Sequence, residues 1–115
     1  MGFPLSGTFL PSAARTTSGS QELAPGIGDF DRQAIVINVT AVSGTTPTLD
    51  FFLEDSIDGT IWPVLGTTPQ ITAAGVFAIR NSAAACSRMR LRWVIGGTTP
   101  SFTFSAQFSA QRDGT

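Results

Sequence analysis

The chain has no histidine, no lysine and no tyrosine, and its one cysteine is Cys86. Without histidine or lysine there is no side chain to serve as the base of a nucleophilic triad in its usual form, or to form a Schiff base, so an enzyme is not expected. A single cysteine excludes an internal disulfide. With no histidine and no second thiol, the usual ligand sets of zinc, haem and iron–sulfur centres cannot be assembled, and no cofactor is expected. Only an all-oxygen site for a hard cation stays open. Cys86 itself has no base beside it in the sequence and reads as a small apolar residue in or near the core.

Charge is scarce as well. Asp, Glu, Lys and Arg make up 13% of the chain, against about 25% in ordinary globular proteins. The surface must then be mostly neutral hydroxyl, amide and apolar groups, which fits an exterior covered by neighbours better than that of a free monomer. The formal net charge of -1 supplies no long-range field to draw in nucleic acid or an anionic membrane, and neither is expected as a partner. No window approaches the roughly 20 apolar residues of a membrane helix, and no basic segment followed by an apolar stretch opens the chain. It is therefore expected to be soluble and not exported.

A length of 115 residues sets one domain, large enough to bury roughly two thirds of the unfolded chain's surface. Residues 1–30, broken by Pro4, Pro11 and Pro25 and carrying only scattered apolar side chains, read as an extended N-terminal arm. Apolar residues that sparse bury too little to order a segment alone, so Phe3, Leu5, Phe9 and Leu10 are candidate contacts to a neighbour. Residues 31–115 carry the strands. Ile35, Ile37 and Val39 alternate with Val36 and Asn38 over a predicted strand 34–42, and Leu49, Phe51 and Leu53 alternate with Asp50, Phe52 and Glu54 over 48–56. Further strands are predicted at 60–65, 71–72, 76–79, 87–95 and 101–111, and Asn81–Cys86 reads as a loop or one helical turn.

The tetrapeptide Gly-Thr-Thr-Pro occurs at 44–47, 66–69 and 97–100. Glycine takes the backbone angles of a turn, and proline fixes φ where ladder bonding has not begun, so the first and third copies are predicted to close β-hairpins. Asp58-Gly59 is predicted to close another, with a two-residue turn leading into 60–65. Ser56-Ile57-Asp58-Gly59-Thr60-Ile61-Trp62 is similar to the Asp-box turn of sialidase propellers, short of one residue between Asp and Gly. Short strands separated by Gly, Pro and Thr turns, without a convincing helix, predict an all-β fold: a single antiparallel β-sandwich or jelly roll of six to eight short strands.

Arg88, Arg90 and Arg92 share one face of the predicted strand 87–95, about 6.6 Å apart. Such a row needs anions. These are either Asp50, Glu54 or Asp55 of the same fold, or acids of an adjacent subunit met in the fork geometry that favours arginine at interfaces. Asp50, Glu54, Asp55 and Asp58 otherwise read as solvated surface acids, and Trp62 as an edge residue or a partner contact.

Val39 to Leu49, Ser56-x-Asp58-Gly59-Thr60-x-Trp62 and Gly97 to Thr103, taken with the arm, resemble small structural proteins of tailed bacteriophage virions, in particular capsid decoration or cement proteins. The resemblance implies an accessory subunit of the virion, assembled in the host cytoplasm, that binds the major capsid protein and is commonly a homotrimer. In that setting the arm residues and the arginine row are the candidate interface. A tail or head–tail connector subunit has the same signature, and a carbohydrate-binding module using Trp62 or Trp93 is the alternative from another class.

Overall fold

The computed structural model describes the backbone of residues 2–23, 32–81 and 88–113, and the side chains of these except 2–6 and 111–113. Six strands appear and no helix is present among the described residues: β1 (Gly2–Arg15), β2 (Gly19–Glu22), β3 (Arg32–Ser56), β4 (Val64–Thr67), β5 (Gly75–Asn81) and β6 (Arg88–Asp113). Asn81 ends β5. The rest of the segment expected as a loop or helical turn, including Cys86, lies outside the described residues.

Two strands are far longer than their apolar runs. β3 and β6 pair with each other antiparallel from Arg32↔Gln111 to Ser56↔Arg88, through the Gly-Thr-Thr-Pro segments of both. The predicted hairpins at 44–47 and 97–100 are therefore not formed. Val42 pairs with Phe102 and Leu49 with Ile95, where a hairpin would have placed Val42 against Leu49. Each tetrapeptide is instead a corner at which one continuous strand leaves one sheet and enters the other. Gly44 and Gly97 have φ of 114° and 112°, and Thr46 and Thr99 both have φ of 46°. Each of these threonines donates its hydroxyl to the carbonyl of the threonine before it at 2.8 Å. A left-handed, β-branched residue is strained. Here the strain occurs twice, in matching places.

Divided at the corners, the chain forms two four-stranded sheets. The first runs β1, the C-terminal half of β6, the N-terminal half of β3, then β5; the second runs β2, the N-terminal half of β6, the C-terminal half of β3, then β4. With the eight segments numbered along the chain, the orders are 1-8-3-6 and 2-7-4-5, which is a jelly roll. The all-β, antiparallel sandwich expected from the alternation is thus the fold. All three Gly-Thr-Thr-Pro copies lie where the chain passes between sheets at one end of the roll. The second copy leaves β4 with no positive φ, and Thr68 pairs its N–H and its hydroxyl with the backbone of Phe51.

The inner faces meet in one core. Ile35, Ile37, Phe102, Phe104 and Ala106 of the first sheet, and Leu49, Phe51, Leu53, Met89 and Leu91 of the second, are buried. Phe104 joins the layers, with its ring edge-on to Phe51 at 5.0 Å and to Trp93 at 5.7 Å. Burying rings of this size stabilises by about 2–3 kcal/mol each before entropy is counted.

The Asp58-Gly59 hairpin is also replaced. Glu54 pairs with Val64 and Asp55 donates its N–H to the Pro63 carbonyl, so a wide loop spans 57–63 and the strand predicted at 60–65 is displaced to Val64–Thr67. The cause is Asp58, whose Oδ1 accepts the N–H groups of Thr60 and Ile61 and the Ser56 hydroxyl, so the side chain supplies the acceptor that a two-residue turn would have taken from the backbone. The predicted strand at 71–72 reduces to one bridge, Leu49↔Ile71.

Candidate interaction surface

The N-terminal segment expected on a neighbour pairs with this chain's own β6, from Gly2↔Asp113 to Arg15↔Phe102. Leu10 is buried, and Phe9 packs its ring 6.1 Å from that of Phe108. Phe3 and Leu5 stand opposite Arg112 and Ala110 in the backbone register, and their side chains lie outside the described residues. Register shifts on either side of Leu10 turn both Phe9 and Leu10 toward the core.

Arg15 has a role that sequence reasoning missed. At the end of β1 its guanidinium lies 4.3 Å from the centre of the Phe104 ring and donates to the carbonyls of Phe104 (2.6 Å), Pro11 (3.0 Å) and Ala13 (3.1 Å). Just beyond it, Trp93 donates its indole N–H to the Thr17 carbonyl, and the Ser18 hydroxyl accepts the N–H of Ile95. These contacts close the edge of the sandwich where β1 passes to β2. Partners 76 to 89 residues away in sequence leave no local signal.

The arginine row lies on the outer face of the second sheet, and its charge is met within the chain. Arg88 forks onto both carboxylate oxygens of Glu22 at 2.7 and 3.1 Å. Arg90 and Arg92 each donate Nε to a different oxygen of Glu54, at 2.7 and 3.0 Å. Arg90 also lies 4.3 Å from the Trp62 ring centre and Arg92 4.3 Å from that of Phe52. Three like charges are tolerated because two acids and two ring faces alternate with them. Glu54, directly opposite Arg90 in the ladder, has only 4% of its side chain exposed. The Arg88 pair holds the Glu22 carboxyl below its ordinary range and raises Arg88 in turn. Asp58 is likewise held low by the N–H groups of Thr60 and Ile61.

Of the other acids, Asp50 accepts from Gln70, while Asp55, expected as a solvated surface acid, is buried. It follows Leu49, Phe51 and Leu53 at two-residue spacing, so the pleat turns it inward with them. Among the described residues, no three His, Cys, Asp or Glu side chains come together as a metal-ligand set. Two concavities among the described residues are small. Ile57, Asp58, Ile61 and Pro63 line about 190 Å³, and Ser18 to Ser20 with Arg92, Trp93 and Val94 line about 250 Å³. Trp93 is 8% exposed. Trp62 donates its indole N–H to the Gly59 carbonyl.

The outer face of the first sheet has the opposite character. Thr8 of β1, Thr103, Ser105, Gln107 and Ser109 of β6, Ala34, Val36 and Asn38 of β3, and Val76 and Ala78 of β5 alternate with the core residues and carry no charge. Arg32 and Arg80 bound this face at one end.

No protein-family model matches the chain, and no curated protein matches it in sequence. Solved structures do match its fold. The PBSX exported protein XepA is similar at a TM-score of 0.63 and 14% identity, over 96% of this chain and 38% of XepA. The chain thus spans well under half of that protein. The SPBc2 prophage-derived protein YomS is similar at 0.55 and 13%, over 96% of both chains. The CBM22-1 xylan-binding domain of Paenibacillus barcinonensis Xyn10C is similar at 0.59 and 12%, over 99% of this chain and 87% of that domain. At these identities the likeness is one of fold.

Proposed function

We propose that the chain is a non-enzymatic structural subunit of a tailed-phage particle, a decoration subunit that seats the uncharged outer face of its first sheet on the major capsid protein. The observation that carries this reading is the segregation of charge. Among the described side chains, and apart from Arg32 and Arg80 at its end, the first sheet's outer face is hydroxyl, amide and small apolar groups, while the second sheet's Arg88, Arg90 and Arg92 are paired with Glu22 and Glu54. Interface cores are depleted in charge, and a neutral face can be covered without stranding an ion. Each contact can be weak, because repetition over a symmetric shell adds avidity. The fold shared with XepA and YomS supports a phage setting.

The test is made on purified particles of the phage whose genome encodes the chain. A decoration subunit is present in copies on the order of hundreds, as the symmetry of a shell requires, and its removal lowers resistance to heat and osmotic shock. A copy number of a few or dozens indicates a tail or connector subunit. Absence from the particle, or unchanged resistance without it, overturns the reading. The likeness to a xylan-binding domain favours carbohydrate binding as a second reading. Against it, Trp93 is buried and Trp62 has an arginine on its ring; binding to xylan or a glycan array decides it.

A further inference from the structure

Each sheet of the roll has two edges, and three of the four are blunted. β1 contains Pro4 and Pro11 and shifts register on both sides of Leu10. β2 is four residues long, and so is β4, which lies between Pro63 and Pro69. Proline, bulges and short length are the usual means by which an edge is kept from pairing with another chain. β5 has none of them. It is seven residues, Gly75–Asn81, without proline and in unbroken register with β3 from Gln33↔Asn81 to Val39↔Gly75. No described strand pairs with its outer side, and Val76 on it is 68% exposed.

We propose that the outer edge of β5 is a strand-pairing surface for a second copy of this chain, joining two first sheets antiparallel across a two-fold axis at Ala78. The register follows from the pleat. Side chains facing the core must pair with side chains facing the core, so the sum of paired residue numbers is even. The register that uses all seven residues sets Ala78 against Ala78 of the second copy, Phe77 against Ile79, Val76 against Arg80 and Gly75 against Asn81. Both ends then match. Phe77 and the buried Ile79 extend one apolar inner face, and the two Arg80 charges lie at opposite ends of the ladder rather than side by side. The pair also joins the two outer surfaces into one of eight strands, on which the described charges are Arg32 and Arg80 of each copy. The contact is isologous and closes as a dimer, whereas a trimer needs a heterologous contact elsewhere. A seven-residue ladder is small for an interface, so the dimer is weak and reversible.

The experiment is sedimentation equilibrium of the purified full chain from about 1 μM to about 1 mM, which is independent of whether any particle contains it. Wild type is expected to pass reversibly from monomer to dimer. Ala78→Lys and Ala78→Asp place like charges on the axis, and each is expected to raise the dissociation constant at least about tenfold. Mixing the two variants is expected to restore the dimer as a mixed pair, which a variant that merely failed to fold would not do. A wild-type chain monomeric throughout, a trimer, a dimer that both variants retain, or variants that do not combine on mixing each overturn the proposal.

Discussion

Gly44 and Gly97 each face the backbone of the other's strand: a Cβ on Gly44 would lie 2.7 Å from the carbonyl oxygen of Thr99, and one on Gly97 would lie 2.7 Å from that of Thr46. The two corners are mates across a local two-fold axis. Alanine at either position meets backbone at a φ that side chains rarely adopt. Gly44→Ala and Gly97→Ala are each expected to destabilise by about 2–4 kcal/mol. The double variant is expected to lose less than the sum, because one distorted corner relaxes its mate. Denaturant unfolding of the four proteins measures both effects.

The corners also mark where the sequence stops speaking. Alternation around Ile35, Phe51, Leu91 and Phe104 was legible, and with it the core and the all-β class. Hairpin and corner, however, use the same chemistry, a glycine with positive φ followed by a proline that opens the next run. What separates them is whether Val42 pairs with Leu49 or with Phe102, sixty residues on. That choice belongs to the whole sheet. The arginine row shows the same limit: pairing with Glu54 could be read from opposed faces of two predicted strands, but Glu22 lay in a segment with too few apolar residues to be placed. Arg15 carried no signal, because the carbonyl and ring of Phe104 that anchor it are brought near only in the folded chain.

Glu54 holds two guanidiniums in a nearly closed environment. Removing it takes the acid from two partly exposed guanidiniums that keep their ring contacts, so Glu54→Ala is expected to destabilise by about 1–3 kcal/mol. Arg88 pairs separately with Glu22 at the half-exposed end of the row, where solvent screens the pair, so Arg88→Ala is expected to change stability far less than Glu54→Ala. A double-mutant cycle of Glu54→Ala with Arg90→Ala, read by thermal or denaturant unfolding, gives the coupling directly. A coupling near zero would show that the pair contributes nothing.

Asp58 organises the 57–63 loop as an anion, and its carboxyl titrates below the ordinary aspartate range because the N–H groups of Thr60 and Ile61 stabilise the charged form. A pKa depressed by folding means that the stabilisation is complete above the unfolded value of about 3.9 and is lost as pH falls through the lower folded value. Glu22 acts with the same sign, through Arg88. Wild type is therefore expected to exceed Asp58→Ala in stability at neutral pH, with the gap closing on acidification. Unfolding midpoints across an acid series test it, and a gap independent of pH would remove the charge from the explanation.

Arg15 fastens β1 where it meets the crossing to β2, and burial lowers its pKa without bringing it near neutrality, so the charge persists at any ordinary pH. Its planar fork reaches the carbonyls of Phe104, Pro11 and Ala13 while the plane rests on the Phe104 ring. Lysine keeps the charge but has neither the fork nor the flat face. Arg15→Lys and Arg15→Ala are thus expected to lose similar stability, about 1–3 kcal/mol. The loss should be local first. Amides of β1 pair with β6 alone, whereas those of the N-terminal half of β3 lie between two strands. Hydrogen exchange is expected to speed up in residues 8–15 of either variant, with Ile35, Ile37 and Val39 unchanged under native conditions. Uniform acceleration through β3 would instead mean that Arg15 supports the whole sandwich rather than the edge it closes.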